Sequence, residues 1–218
     1  MNSGHEIQAG AGVHRWLLLT LTLLLAGMAG CAALPPVSED QLAARTAFLE
    51  RAVALEAVRH WRFVGRLTLE LPTESWSGQL SWRTEDQRQV IDLSGPMGRG
   101  GGRLVLGGYQ AVLITREGDR YEAADADELM ALVTGREIPV GGLDYWVRGM
   151  PRPGVGFDLR ADAHGQPRRL IQDGWEIVYG AFEDAAPVAL PVSVELHRED
   201  MRLRLSIQRW QLTQVDAS

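Results

Sequence analysis

The side chains able to do chemistry are few, and their spacing argues against catalysis. Cys31 is the single cysteine among 218 residues, so no disulfide can form within the chain. The five histidines, His5, His14, His60, His164 and His197, fall in separate segments without the short intervals of metal ligands. No G-x-S-x-G elbow offers a serine nucleophile. Gly98 to Gly102 reads GRGGG, but no Lys-Ser/Thr follows, and the run joins two expected strands instead of opening a helix. A flexible hairpin connection accounts for it better than a phosphate loop. The acid pairs Asp125/Asp127 and Glu199/Asp200 sit at a helix start and a hairpin turn, where capping and solvation explain them. These residues call for no cofactor, no metal and no catalytic role, so the chain reads as a non-enzyme.

Cys31 has another use. Arg15 precedes an apolar run from Trp16 to Ala26, which ends in Gly27-Met28-Ala29-Gly30-Cys31. A charge, an apolar stretch and small residues before a cleavage point make a signal peptide. Even extended to Ala29 the run covers about 14 residues, short of the roughly 20 that a bilayer-spanning helix needs. Ala29-Gly30-Cys31 resembles the lipobox of bacterial lipoproteins, with Met28 where Leu is usual. The resemblance implies cleavage before Cys31, a thioether lipid on its sulfur and acylation of the new terminus. Ala32, not Asp, follows, which by the sorting rule of such proteins implies the outer membrane. Residues 1–30 are then a leader, 31–38 the lipidated cysteine and a Pro35-Pro36 tether, and 39–218 a single domain.

Composition adds exclusions. The formal net charge is −6 and all 22 basic residues are arginine, with no basic run, so nucleic acid is not an expected partner. A monomer is expected.

Periodicity supplies the scaffold. Glu39 to about His60 reads as a helix capped by Ser38, with Phe48, Leu49, Ala52, Leu55 and Arg59 near one face. From Trp61 the period changes to two: Trp61, Phe63, Gly65, Leu67 and Leu69 alternate with polar residues, as do Trp76, Gly78, Leu80 and Trp82. Further strands are expected at 89–94, 102–106, 111–116, near Tyr121, and at 156–160, 168–172, 175–182, 191–197 and 201–212. Asp125 to Gly135 interrupts them as a helix with a capping box through Glu128 and a glycine cap, and a second short helix is expected at Leu143 to Arg148. The fold class is mostly β (α+β), a meandering antiparallel sheet with helices over its concave face. Trp76, Leu80 and Trp82 share one apolar face, which either fills a core or, if the sheet curls into a half-barrel, lines an apolar cavity.

Several strings narrow the choice: WSGQLSWR (Trp76 to Arg83), IDLSGPMG (Ile91 to Gly98), WEIVYG, LPVSVEL and MRLRLSIQRW. The most specific block runs from Tyr121 to Pro151 and combines its helix with Thr134-Gly135, Ile138-Pro139 and Trp146 near Gly149. In order and spacing they resemble the LolB family over nearly the whole chain after Cys31. The resemblance implies an incomplete antiparallel β-barrel capped by helices around an apolar cavity. It also implies acceptance of acylated lipoproteins from a LolA-like periplasmic carrier and their insertion into outer-membrane lipid, with attachment at the periplasmic face. Pro96-Met97-Gly98 matches the family's membrane-insertion loop, with Met97 in place of the usual Leu. Two other readings stay open at this level: a lipid-anchored structural or assembly protein that binds envelope proteins, and an envelope hydrolase.

Overall fold

Alternation with period two becomes strands with one buried face in the computed structural model of this chain, which describes residues 38–96, 100–185 and 188–213. Strands β1 (His60–Glu70), β2 (Ser75–Glu85), β3 (Arg88–Ser94), β4 (Gly101–Gly107), β5 (Gln110–Thr115) and β6 (Arg120–Ala123) form successive hairpins. Strands β7 (Asp158–Ala161), β8 (Pro167–Gln172) and β9 (Trp175–Tyr179) form a second run. A separate pair, β10 (Phe182–Glu183) with β11 (Leu190–Pro191), precedes β12 (Ser193–Arg198) and β13 (Met201–Thr213). Pairing of β1 with β13 joins the two halves into one antiparallel sheet, ordered β6-β5-β4-β3-β2-β1-β13-β12-β9-β8-β7. The edge strands β6 and β7 do not pair with each other, so the sheet stays open, an incomplete barrel.

Among the described residues three helices cover one face. Helix α1 (Glu39–Glu56) begins at Ser38, whose hydroxyl accepts from the Gln41 amide at 3.2 Å while the Gln41 side chain accepts from the Ser38 amide at 3.1 Å. It stops four residues short of the expected His60, because His60 is already in register between Glu85 and Thr213. Its buried side is Ala44, Phe48, Arg51 and Leu55, and Leu49, expected near the same face as Phe48 and Leu55, is 50% exposed. Apolar residues lie on both sides of α1, so spacing alone does not select the packed one.

Helix α2 (Ala126–Thr134) has the expected caps, Asp125 accepting from the Glu128 amide at 2.8 Å and Gly135 in the left-handed conformation. The Glu128 carboxylate reaches the Ala124 amide, one residue before the box position. Helix α3 (Val140–Trp146) starts three residues before the expected Leu143, because Asp127 of α2 accepts from the Gly141 amide at 2.9 Å and supplies a cap from outside the segment. The expected strand 175–182 breaks at Gly180 into β9 and β10, and the strand expected at 156–160 begins at Asp158. One continuous core joins Leu55, Leu129, Leu143 and Trp146 of the helices and the adjoining linker to the inner face of the sheet.

Candidate functional site

The inner face of the central strands changes character along its length. At the end where β1 starts it is sealed by aromatics. Trp61 and Phe63 stack at 6.1 Å, Trp82 lies 5.6 Å from Trp61, and Trp210 lies 4.9 Å from Phe63. Trp82 donates to Gln89 Oε1 at 3.2 Å and Trp210 to the Pro191 carbonyl at 2.8 Å, so both indole N–H groups are satisfied inside. Leu80 and Trp82, two of the three residues expected to line a cavity, are buried in this packed core.

Toward the opposite end the same face opens. Leu67, Leu69 and Leu93 are half-buried, and so is Trp76, the third expected lining residue. Gly78 permits this arrangement: a Cβ there would collide with the Trp76 ring, which lies across it. The indole also extends toward Gly100, on the connection between β3 and β4. That connection closes with a Gly95 amide to Gly100 carbonyl bond of 3.4 Å and leaves Pro96 exposed. Met97 and Gly98 of the expected insertion loop, and Cys31, lie outside the described residues.

The cover is held by polar groups that composition and spacing did not single out. Arg51 is buried and has no carboxylate partner among the described residues. It donates to the carbonyls of Gly149, Arg148 and Ala189, each at 2.9 Å, and lies 5.5 Å over the Phe182 ring. Burial pulls its pKa down to about 10, so it remains charged at neutral pH. The signal was present: Arg51 stands three residues after Phe48 and four before Leu55, on the apolar side of α1. Gln172 is also buried. It accepts from Trp146 Nε1 at 2.8 Å and the Arg152 amide at 2.7 Å, and donates to the carbonyls of Arg152 and Val155, which ties α3 to the segment that follows it.

A cleft of about 330 Å³ lies where α1, α3 and the β2–β3 turn meet, lined by Trp61, Thr84, Asp144, Tyr145, Arg148 and Met150 among others. Here Arg148 donates to the Asp144 carbonyl at 3.0 Å and faces its carboxylate at 3.5 Å, with the guanidinium 5.4 Å over Trp61. Burial raises the Asp144 pKa against the opposing pull of Arg148, and burial lowers that of Arg148. Among the described residues no group of three His, Cys, Asp or Glu could hold a metal ion. The arrangement is a half-open apolar sheet face beside helices pinned by a few hydrogen bonds.

Comparison with known proteins agrees with this geometry. The family model described as "Outer membrane lipoprotein LolB" matches residues 59–210. The chain is 36% identical over 196 residues to an outer-membrane lipoprotein LolB of Alkalilimnicola ehrlichii, covering 87% of this chain and 96% of that one. It is 34% identical over 212 residues to an outer-membrane lipoprotein LolB of Chromohalobacter salexigens, covering 97% of each. Among solved structures, a DUF1329 family protein from Desulfovibrio piger shares the fold at a TM-score of 0.52 and 7% identity, over 80% of this chain and 95% of that one.

Proposed function

The chain belongs to the LolB family of outer membrane lipoproteins, and on that premise we propose that it accepts acylated lipoproteins from a LolA-like carrier and inserts them into the outer membrane. Cys31 is its lipidation site, residues 31–38 are its tether, and the folded domain works at the periplasmic face as a monomer. The observation that carries the reading is the half-open apolar end of the inner face, with Leu67, Leu69, Trp76 and Leu93 beside the glycine-rich loop. An acyl chain enters there and advances as the helices yield, toward the region of Leu80 and Trp82. At about 0.8 kcal/mol per CH₂, leaving one long chain in water costs on the order of 10 kcal/mol, so a covered passage between carrier and bilayer has a strong driving force. The step consumes no nucleotide and uses no cofactor. Met97, flanked by Pro96 and glycines, dips into the lipid interface at release.

A photo-crosslinking residue at Leu69 or Trp76 tests the path. It should capture an acylated lipoprotein offered on the carrier, and fail to capture the same protein without acyl chains. Equal capture of both forms would overturn the assignment of this face.

A further inference from the structure

The outer face of the sheet carries a charge pattern that its own ion pairs do not explain. At the end of the face where β13 starts and toward β12 and β8, arginines are matched: Arg202 with Glu70 at 3.4 Å and Glu195 at 3.2 Å, Arg204 with Glu195 at 3.2 Å, and Arg169 with Glu176. Toward the other end of the three central strands the pattern differs. Arg62 and Arg66 of β1, Arg83 of β2 and Arg209 of β13 are all exposed, and none makes an ion pair among the described residues. Their register places them together. Arg62 is directly opposite Arg83, Arg209 is opposite Val64, and Arg66 lies between Gln79 and Ser206. Arg66 donates to the Ser77 hydroxyl at 3.5 Å and, with the Gln79 amide oriented to satisfy its neighbours, to the Gln79 side-chain oxygen at 3.3 Å, neither of them a charge partner. The acids near this group are Glu85, two positions beyond Arg83, and Asp92, which Arg103 holds at 2.6 Å.

Like charges directly opposite on paired strands are destabilising. A chain of net charge −6 has acids enough to neutralise such a pair, as it does on the neighbouring strands. Two guanidiniums with Cβ atoms about 5 Å apart instead present a double fork suited to the oxygens of a phosphate. We infer that the outer face of β2-β1-β13 is a docking surface for anionic phospholipid headgroups, with Arg62 and Arg83 clamping a phosphate between them. This rests on the reading of the chain as anchored at Cys31. Seven residues from Cys31 to Ser38 reach at most about 25 Å, so the folded domain is kept close to lipid phosphate at all times. A dense, laterally mobile layer of phosphates can adjust to four unpaired arginines without any preset spacing. Local arginines also overcome the repulsion that the overall negative charge would meet at an anionic surface.

The test uses the unacylated chain, Cys31→Ala, because the acyl anchor would mask weaker attachment. Partitioning onto vesicles of phosphatidylethanolamine and phosphatidylglycerol should fall with rising salt, should be absent on phosphatidylcholine vesicles, and should resist inorganic phosphate at equal ionic strength. The triple variant Arg62→Gln, Arg83→Gln, Arg209→Gln should lose at least about tenfold in partitioning. Its unfolding temperature should stay level or rise as the repulsion is relieved. Acceptance of lipoprotein from a carrier in solution should be unchanged, which separates this surface from the transfer function. Undiminished partitioning of the folded variant, or equal wild-type binding to phosphatidylcholine, would overturn the inference. So would loss of binding to an acidic protein without loss of vesicle binding.

Discussion

Arg51 replaces a counter-ion with three carbonyls. Two of its acceptors, Arg148 and Gly149, lie just past the end of α3, where backbone carbonyls lack helical partners and favour a cation. The third, Ala189, belongs to the segment before β11, so one side chain fastens α1 to two other parts of the cover. Arg51→Met keeps the packing volume but strands these carbonyls, and should lower unfolding free energy by about 3 kcal/mol in urea titrations. Arg51→Lys should recover only part of the loss, because one ammonium cannot reproduce the guanidinium fork. Asp144 gives a test in pH. Burial raises its folded pKa above the ordinary value near 4, so the folded state holds this proton more tightly than the unfolded chain does. Its contribution to stability therefore rises as pH falls through the folded pKa, opposite in sign to a well-paired carboxylate. The stability of the wild type relative to Asp144→Asn should increase on going from neutral to mildly acid pH. A decrease would mean that the Arg148 pairing outweighs burial.

At the level of elements, alternation was sufficient to find the strands. Leu203, Leu205 and Ile207 opposite Arg202, Arg204 and Ser206 admit only one choice of face, and the structure buries that face. Helix α1 was less legible, since Leu42, Leu49 and Val53 offer an apolar line that remains exposed at 54%, 50% and 68%. What selects the other side is contact distant in sequence. Gly165, in the β7–β8 turn at φ +71°, lies so close to the backbone of Ala47 and Phe48 that a Cβ would clash. Gly165→Ala should thus destabilise the fold by more than the roughly 1 kcal/mol of an ordinary glycine replacement, and raise amide exchange in α1 ahead of the central strands. Equal protection in the variant would show that α1 does not depend on this turn. The β3–β4 connection should respond differently. Met97→Glu should leave thermal unfolding and acceptance from the carrier intact while impairing release into bilayers, because burying a carboxylate in lipid is costly. Met97→Leu should behave as wild type. Equal release by the Glu variant in a liposome assay would remove this loop from the mechanism.

Over the whole molecule, the open antiparallel sheet covered by helices follows from period-two strands interrupted by capped helical segments. The site was legible only in part. Alternation placed Trp76, Leu80 and Trp82 on one face but could not tell which of them would be sealed, since that depends on how far the aromatics of β1 and β13 reach across the sheet. Gln172 left no mark in periodicity, because its partners come from other elements. The Asp144–Arg148 pair has ordinary helical i, i+4 spacing, but that spacing does not show that the pair is buried against Trp61. The work proposed for this domain is to shelter acyl chains on their way from a carrier to a bilayer. Its most direct test is to mix the purified Cys31→Ala chain with a carrier loaded with a radiolabelled, acylated lipoprotein, isolate the complex, and then add liposomes. Label should move to this chain without ATP and afterwards to the liposomes, and replacement of Arg62, Arg83 and Arg209 should leave the first step intact. Label that remains on the carrier, or that moves equally well when the lipoprotein lacks its acyl chains, would contradict it.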